Sequence, residues 1–210
     1  MPGSPELRSH LPSGLLAEVR CWIVIPVKAP EACKSRLAPV LGENARQELV
    51  ADMLHRTVAA AQSASGPKQI LLLGPSRHGL PEGMRLLPDP GQGLNSAIAS
   101  ARDAAMAAKV DRLLFLSADM PLIMAEEVAV MLKVPPSTVA LAPDRLGAGT
   151  NALSLPLPEA ARFQFHYGER SFAAHRAEAA RLNLPFLPIE RPALAFDLDR
   201  PGDLALWQQA

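Results

Sequence analysis

Short apolar runs that alternate with helical patterns constrain the fold of this chain more than any other feature of its sequence. Runs this short, rich in leucine and β-branched residues and bounded by glycine or proline, are typical of strands buried on both faces of a sheet. We predict strands at residues 21–27, 69–73, 84–87, 112–117 and 138–142, a strand at one edge of the sheet at 151–155, and extended segments at 184–189 and 194–196. We predict helices at residues 43–63, 95–108, 124–132, 171–182 and 203–207. This order predicts an α/β fold with three layers and a mostly parallel open sheet.

The length of the chain favours one domain without covalent reinforcement. A chain of 210 residues can bury roughly 70 % of its unfolded surface, so it needs no disulfide or structural metal. The two cysteines, Cys21 and Cys33, are too few for a disulfide framework, and we expect a core thiol and a loop thiol in a reducing cytoplasm. The first residues are rich in proline and glycine and lack the apolar block of a signal peptide. We therefore expect a flexible tail at 1–20 and a single domain at 21–210.

The charge balance argues against several classes of partner. Lys plus Arg and Asp plus Glu each number 21, so the formal net charge is zero. A neutral chain lacks the basic surface typical of proteins that bind nucleic acids or membranes. No apolar run approaches the ~18 residues of a transmembrane helix. We expect a cytoplasmic protein that binds neither partner, with a homo-oligomer left open, and any phosphate binding must depend on where individual charges lie.

Three aspartates form the first candidate site. Asp119 follows the predicted strand 112–117, which places its carboxylate at the carboxyl end of a central strand, where α/β proteins bind ligands. Asp197 and Asp199 lie in an extended segment, so their side chains point to the same side. Converging carboxylates suit a magnesium ion. The alternative is a turn-capping role for Asp119 and surface positions for the other two; taken together, the three residues predict a metal site.

A loop with three cations follows the first predicted strand. Residues 26–37 include Lys28, Lys34 and Arg36. Loops in this position hold phosphates in α/β proteins, and lysine offers a compact charge while arginine offers a bidentate fork. The loop has neither a Walker-type phosphate motif nor a GxGxxG motif. We predict that it is catalytic and binds phosphate, the alternative being a solvated basic loop.

Glycines precede the predicted helix at 95–108. In residues 89–95, Gly93 would let a ligand approach backbone amides closely, and Asn95 could bind a base or a ribose. The segment therefore predicts nucleotide binding. The equally acceptable alternative is a turn followed by a helix N-cap.

Two further segments place polar groups beside glycines. Thr150 lies in a glycine-rich segment with Arg145, which we predict to contact a nucleotide, and Gly168 precedes the helix that we expect to begin at Ser171. A glycine loop that opens on a helix N-terminus makes a small anion site. Thr150, Gly168 and Ser171 could together hold a phosphate or a carboxylate. We interpret His175 as an ordinary residue of that helix.

The order of these motifs resembles the 2-phospholactate and phosphoenolpyruvate guanylyltransferases of deazaflavin coenzyme F420 biosynthesis. The motifs are Pro26-Val27-Lys28, Lys34-Ser35-Arg36-Leu37, Gly93-Leu94-Asn95, Asp119-Met120-Pro121-Leu122, the run from Asp144 to Asn151, and Phe196-Asp197-Leu198-Asp199. The resemblance covers about residues 21–207. The run 144–151 is its most specific part, whereas Asp-x-Pro-Leu is shared with many sugar-phosphate nucleotidyltransferases. His166-Tyr167-Gly168 stands where relatives often have Phe-Gly, which is a departure in the acceptor pocket.

The resemblance implies a nucleotidyltransferase-type fold, GTP as donor and Mg²⁺ as cofactor. By position it assigns the metal to Asp119, Asp197 and Asp199, and the phosphorylated acid to Thr150, Gly168 and Ser171. The expected reaction is attack of an acceptor phosphate on the α-phosphorus of GTP, with pyrophosphate leaving. A phosphate monoester has a second pKa near ~6 and needs no general base. Lys28, with Lys34 or Arg36, would stabilise the triphosphate and the transition state.

The sequence leaves the acceptor acid open. Phosphoenolpyruvate, 2-phospho-L-lactate and 3-phospho-D-glycerate share a phosphate and a carboxylate. Other classes of function compete as well: a pterin-cofactor guanylyltransferase, an alcohol-phosphate cytidylyltransferase, a metal-dependent glycosyltransferase, or a non-catalytic nucleotide-binding domain. Pyrophosphate release would separate the nucleotidyltransferases from a glycosyltransferase. The three aspartates argue against a nucleotide sensor, because a sensor needs no acceptor site.

Overall fold

The structure, a computed structural model, describes residues 20–28 and 34–209. The tail predicted at 1–20 lies outside these residues except for Arg20, and so do residues 29–33 of the cationic loop, including Cys33. The strands are β1 Cys21–Pro26, β2 Ile70–Leu73, β3 Arg85–Leu87, β4 Arg112–Leu116, β5 Val139–Pro143, β6 Thr150–Pro156 and β7 Phe186–Pro188. The helices are α1 Glu43–Ser65, α2 Leu94–Ala107, α3 Ala125–Leu132, α4 Ser171–Arg181, α5 Pro192–Ala195 and α6 Pro201–Trp207.

The strands form one seven-stranded sheet in the order β3-β2-β1-β4-β6-β5-β7. Strands β3, β2, β1 and β4 are parallel, and β7 is parallel to β5. Only β6, among the described strands, runs antiparallel to its neighbours β4 and β5. The mostly parallel α/β sheet predicted from the sequence is therefore confirmed.

The predicted edge position of the strand at 151–155 is wrong. Strand β6 lies inside the sheet, between β4 and β5, and all of its residues are buried. A strand whose two faces are both buried is most stable inside a sheet, where helices cover its faces and neighbouring strands cover its edges. Its direction follows from the six-residue connection after Pro143, because a connection this short joins antiparallel neighbours only. The sheet edges are β3 and β7 instead.

Helices cover both faces of the sheet, as the three-layer prediction requires. Alternate residues of β1 separate the two cores: Ile23 and Ile25 face one side and Val24 the other. The first core contains residues of α1 and α3, and the second contains residues of α2 and α4. The buried residues that α2 contributes to the second core are Ala97, Ile98, Ala101 and Ala105. Three of these four residues are alanines, whose small side chains let this helix lie close to the strands.

The segment predicted to be extended at 194–196 is partly helical, which is a second correction. Helix α5 begins at Pro192, whose fixed φ angle suits the first helical position, and it buries Leu194 completely. No described helix is both long enough and apolar enough to cross a membrane. The thiol of Cys21 is half-buried, and burial raises its pKa to about 12.

Candidate functional site

A cavity of about 490 Å³ opens at the carboxyl ends of β1, β2 and β4. Its polar lining consists of Lys28, Lys34, His78, Asp89, Ser117, Asp119 and Asp199. Its apolar lining includes Val50, Met53, Leu54, Leu73, Leu94 and Ala97. Loops at the carboxyl ends of parallel strands converge on such a crevice, so the sheet topology places the cavity here. It combines an apolar wall with charges of both signs.

Asp119 lies at the rim of the cavity because β4 ends three residues before it. The hydroxyl of Ser117 donates to Oδ1 of Asp119 at 2.5 Å. The backbone carbonyl of Asp119 accepts from the N–H of Leu198 at 3.0 Å, and Leu198 is completely buried. This bond attaches the distant segment that carries Asp197 and Asp199 to the end of β4. The structure thus brings Asp119 and the segment of Asp197 and Asp199 to the same end of the sheet.

Lys34 lies between two of these carboxylates. Its Nζ atom is 2.8 Å from Oδ2 of Asp119 and 2.6 Å from Oδ1 of Asp199, and its side chain is only 9 % exposed. Burial opposes the charge of Lys34, but the two carboxylates outweigh burial and raise its pKa above the usual value. Burial likewise opposes ionisation of Asp119, whose pKa lies below its usual value because of Lys34. The pair is charged at neutral pH.

The pKa of Asp197 lies above its usual value, in contrast to the pKa of Asp119. Burial raises its pKa, and the negative charges of Asp119 and Asp199 raise it further, against a hydrogen bond from Asn151. The three carboxylates therefore repel one another, and Lys34 compensates only part of their charge. In the described ranges, no group of three or more His, Cys, Asp or Glu side chains has the arrangement of a metal site. The donor set contains carboxylate oxygens only, which is the chemistry of a hard divalent cation.

The described part of the cationic loop reaches the same carboxylates. Lys28 lines the cavity, and Nη1 of Arg36 is 3.3 Å from Oδ2 of Asp199 with an exposed guanidinium. Lys34 has a left-handed backbone conformation, with φ of 52°, immediately before the 3-10 turn Ser35–Leu37. Leu37 is completely buried and anchors this turn. The loop therefore places two cations against the aspartates and a third, Lys28, in the wall of the cavity.

Arg145 supports the aspartate segment from outside. Its guanidinium stacks over the ring of Phe196 at 4.6 Å and forms an ion pair with Asp203. The other carboxylate oxygen of Asp203 accepts from the N–H groups of Asp199 and Arg200, at 2.9 and 2.7 Å. These contacts hold the turn that carries Asp199. The predicted contact of Arg145 with a nucleotide stays a prediction.

Gly93 and Asn95 lie at the start of α2, but only Gly93 lines the cavity. Gly93 lines the cavity and has φ of 90°, a conformation that favours glycine. The Asn95 amide instead forms two hydrogen bonds with the backbone of Tyr167. Its Nδ2 donates to the carbonyl at 3.1 Å, and its Oδ1 accepts from the N–H at 2.7 Å. Asn95 thus joins α2 to the loop that leads into α4, and a nucleotide contact stays a prediction for both residues.

A second polar cluster lies where β6 and α4 begin. The hydroxyl of Ser171 donates to Oγ1 of Thr150 at 3.0 Å, and Oγ1 of Thr150 is 3.1 Å from Nδ1 of His175. Gly168 is exposed with φ of 138°, and no atom lies within 4 Å of where its side chain would begin. The structure therefore brings two of the three predicted acceptor residues into contact and places the third, Gly168, at an open position near the N-terminus of α4.

Sequence reasoning missed the part that His175 plays in this cluster. It is completely buried, and its Nε2 accepts from the N–H of His166 at 2.9 Å. Burial lowers its pKa to about 4, and His166 lowers it as well, against Glu178. One signal was available: His175 follows Ser171 by four positions, which places both residues on the same face of α4. Ser117, two residues before Asp119, was missed as well.

Comparison with known proteins gives one family and several relatives. A family model described as "Guanylyl transferase CofC like" matches residues 21–206. A phosphoenolpyruvate guanylyltransferase of Sphaerobacter thermophilus is 38 % identical over 186 residues, covering 86 % of this chain and 89 % of the relative. One of Rubrobacter xylanophilus is 40 % identical over 191 residues, covering 88 % and 91 %.

Solved structures share the fold. A nucleotidyl transferase from Methanothermobacter superposes with a TM-score of 0.63 at 14 % identity, covering 90 % of this chain and 96 % of that chain. A 4-diphosphocytidyl-2C-methyl-D-erythritol synthase superposes with a TM-score of 0.59 at 12 % identity, covering 91 % and 98 %. At these identities the likeness establishes the nucleotidyltransferase-type fold alone.

Proposed function

Because this chain belongs to the family of CofC-like guanylyl transferases, we propose that it transfers GMP from GTP to a small phosphorylated carboxylic acid and releases pyrophosphate, in coenzyme F420 biosynthesis. The observation that carries the proposal is the family match over residues 21–206, nearly the whole domain. The relatives named above are phosphoenolpyruvate guanylyltransferases, so we place phosphoenolpyruvate first among the acceptors, before 2-phospho-L-lactate and 3-phospho-D-glycerate. We expect the reaction to take place in the cytoplasm, where GTP is made.

The arrangement of the two polar clusters supports a two-substrate reaction. The cavity of about 490 Å³ has an apolar wall suited to a base and cations suited to phosphates. The cluster of Thr150 and Ser171, at the N-terminus of α4, offers hydroxyl groups and a helix dipole, both of which favour an anion. We assign the nucleotide to the cavity and the phosphorylated acid to the α4 N-terminus.

Magnesium belongs to this proposal. Asp119, Asp197 and Asp199 would hold the ion, since all three are oxygen donors. Burial is the largest cause of the raised pKa of Asp197, and the charges of Asp119 and Asp199 add to it, so one lysine leaves part of the negative charge uncompensated. The ammonium of Lys34 already marks a position for a cation between two of them. When bound there, the ion would supply charge neutralisation for the phosphates of both substrates.

The residues of the chain would act by placing charge. An oxygen of the acceptor phosphate forms a bond with the α-phosphorus of GTP, the bond from that phosphorus to the bridging oxygen breaks, and pyrophosphate carries the electron pair away. The attacking dianion needs no base, because its second pKa is near ~6. Lys28, Lys34 and Arg36 stabilise the negative charge that grows on the leaving group, an effect worth ~10²-fold or more per well-placed donor.

Pyrophosphate release tests the proposal. We would incubate the purified chain with GTP and Mg²⁺ and add each of the three phosphorylated acids separately. We expect release with phosphoenolpyruvate, loss of release with EDTA, and little release when ATP replaces GTP. No release with any of the three acids, while GTP still binds, would refute the assignment. Release that persists in EDTA would refute the magnesium part alone.

A further inference from the structure

Three side chains at the start of α4 form a buried hydrogen-bonded chain. Ser171 contacts Thr150, and Thr150 contacts His175, at 3.0 and 3.1 Å. His175 is 0 % exposed, Ser171 2 % and Thr150 9 %. Water therefore has little access to these groups, so a proton donor among them must be satisfied by a protein group or by a bound ligand.

The backbone decides which nitrogen of His175 carries the proton. The N–H of His166 points at Nε2 of His175 from 2.9 Å. A backbone N–H can only donate, so Nε2 must be the unprotonated nitrogen. Burial and the neighbouring His166 hold the pKa of His175 at about 4, so the ring is neutral at pH 7 and its single proton resides on Nδ1.

The position of the His175 proton decides how many hydroxyl protons Thr150 and Ser171 can donate to a ligand. Nδ1–H of His175 donates to Oγ1 of Thr150, and one hydroxyl proton is used between Ser171 and Thr150. Two hydroxyl groups carry two protons, so one proton remains unused whichever way the hydroxyl–hydroxyl bond points. In the other tautomer, Nδ1 of His175 would accept a proton from Thr150. Both hydroxyl protons would then be consumed, and only lone pairs would face a ligand.

We propose that His175 is a positioning residue, whose Nδ1–H tautomer keeps one hydroxyl proton of the Thr150–Ser171 pair free to donate to an anionic oxygen of the acceptor acid. The inference rests on the proposed function, because it assumes that an anion binds at this pair. A hydroxyl donor to a carboxylate or phosphate oxygen forms a charge-assisted hydrogen bond. A pair that presented only lone pairs would repel the same oxygen.

The loop before α4 helps to fix the position of the proton on His175. Its backbone is held at three points: the N–H of Gln164 donates to Glu178, that of His166 to His175, and that of Tyr167 to Asn95. The same loop carries Gly168. Loop placement and the proton position on His175 are therefore coupled: a loop that moved away would release Nε2 and let the tautomer change.

Two substitutions of His175 each keep one of the two hydrogen bonds of its ring and remove the other. In His175→Asn, an amide N–H can replace Nδ1–H as donor to Thr150, but nothing reaches His166. In His175→Gln, the longer amide can accept from His166, but the donor to Thr150 is lost. We expect the KM for the acceptor acid to rise about tenfold or more in His175→Gln, since a hydrogen bond to a charged group is worth this much. It should change by less than about threefold in His175→Asn.

The KM for GTP should stay within about twofold in both variants, because none of His175, Thr150 and Ser171 lines the cavity to which we assign the nucleotide. A merely structural role would impair both variants alike and would not single out the acceptor KM. Equal acceptor KM values in the two variants, or a KM for GTP that rises as much as the acceptor KM, would overturn the inference. Thermal unfolding of each variant verifies that both are folded under assay conditions.

A spectroscopic measurement tests the tautomer independently of turnover. In a protein with ¹⁵N-labelled histidine, long-range ¹H–¹⁵N spectra distinguish a protonated Nδ1 from a protonated Nε2. We expect His175 to show a protonated Nδ1 at pH 7. A protonated Nε2 would overturn the inference even if the chain transfers GMP. A protein that shows the expected tautomer but releases no pyrophosphate with any acid would refute the proposed function and not the tautomer.

Discussion

The Nζ atom of Lys34 lies 2.8 Å from Oδ2 of Asp119, although 85 positions separate the two residues in the chain. The same ammonium lies 2.6 Å from Asp199, 165 positions away. One lysine thus joins the loop after β1, the end of β4 and the segment before α6. The proposed reaction requires a cation in contact with these carboxylates.

Replacing Asp119 by Asn should lower kcat for pyrophosphate release by about 100-fold or more, because it removes one of the carboxylates that line the cavity. Ser117 and Leu198 can still bond to the asparagine, so we expect a folded protein. Initial rates at saturating GTP and phosphoenolpyruvate measure the effect. Asp52→Asn, on the exposed face of α1, is the matched control and should leave kcat unchanged. Normal turnover in Asp119→Asn would remove this residue from the mechanism.

Replacing Lys34 by Met should have two effects. The kcat should fall by about 100-fold, since a cation beside the triphosphate is lost. The Mg²⁺ concentration needed for half-maximal rate should also fall, by about fivefold, because Lys34 no longer competes for Asp119 and Asp199. A magnesium titration of the residual activity measures both. Lys68→Met, at an exposed position, controls for loss of a positive charge. An unchanged magnesium requirement would show that Lys34 and the metal do not share these carboxylates.

Replacing Asn95 by Ala tests which substrate this residue serves. The Asn95 amide makes two hydrogen bonds to the backbone of Tyr167, so we expect the KM for the acceptor acid to rise several-fold and the KM for GTP to change little. The free energy of unfolding should fall by about 1 kcal/mol, as expected for an exposed side chain that loses its hydrogen bonds. Ser96→Ala, on the next position of α2, is the control. A rise in the KM for GTP alone would support the nucleotide contact predicted from the sequence instead.

The stability of the chain should depend on pH through His175. Its pKa is about 4 in the folded chain and 6.5 for an ordinary histidine, so between these values the unfolded chain binds the extra proton. The stabilisation is complete above pH 6.5 and is lost as the pH falls toward 4. Between pH 7.5 and pH 5 the loss should be about 2 kcal/mol.

Urea denaturation at these two pH values measures the effect. Asp119, Glu178 and Asp203 also have lowered pKa values and lose stabilising charge at low pH, so the comparison must be with a variant. The difference in unfolding free energy between the native chain and His175→Asn isolates the histidine. If that difference were the same at pH 7.5 and pH 5, the buried neutral state of His175 would be disproved.

Much of the fold could be predicted from short-range patterns. The apolar runs identified the strands and the helical spacing identified the helices, because burial of alternate or every third and fourth residue is recorded locally in the chain. The position of β6 inside the sheet was not predictable in this way. A buried run is compatible with any central place in a sheet, and only pairing with both β4 and β5 selects one. Helix α5 was missed because one turn is too short to show a period.

For the candidate site too, local patterns predicted some features and not others. Local motifs were enough to select Asp119, Asp197, Asp199, Thr150 and Ser171, because each lies in a pattern of residue types whose chemistry is legible without coordinates. By itself, then, the sequence determined the class of fold and most of its elements, and it predicted the residues that we propose to carry the chemistry.

Only the tertiary structure decided which of these residues meet. It placed Lys34 between two aspartates, turned Asn95 toward the backbone of Tyr167, and set the proton of His175 through the N–H of His166. The physical reason is the range of the interactions. Hydrogen bonds and ion pairs act over about 3 Å in space, while their partners here lie up to 165 positions apart in the chain, so no local pattern records them.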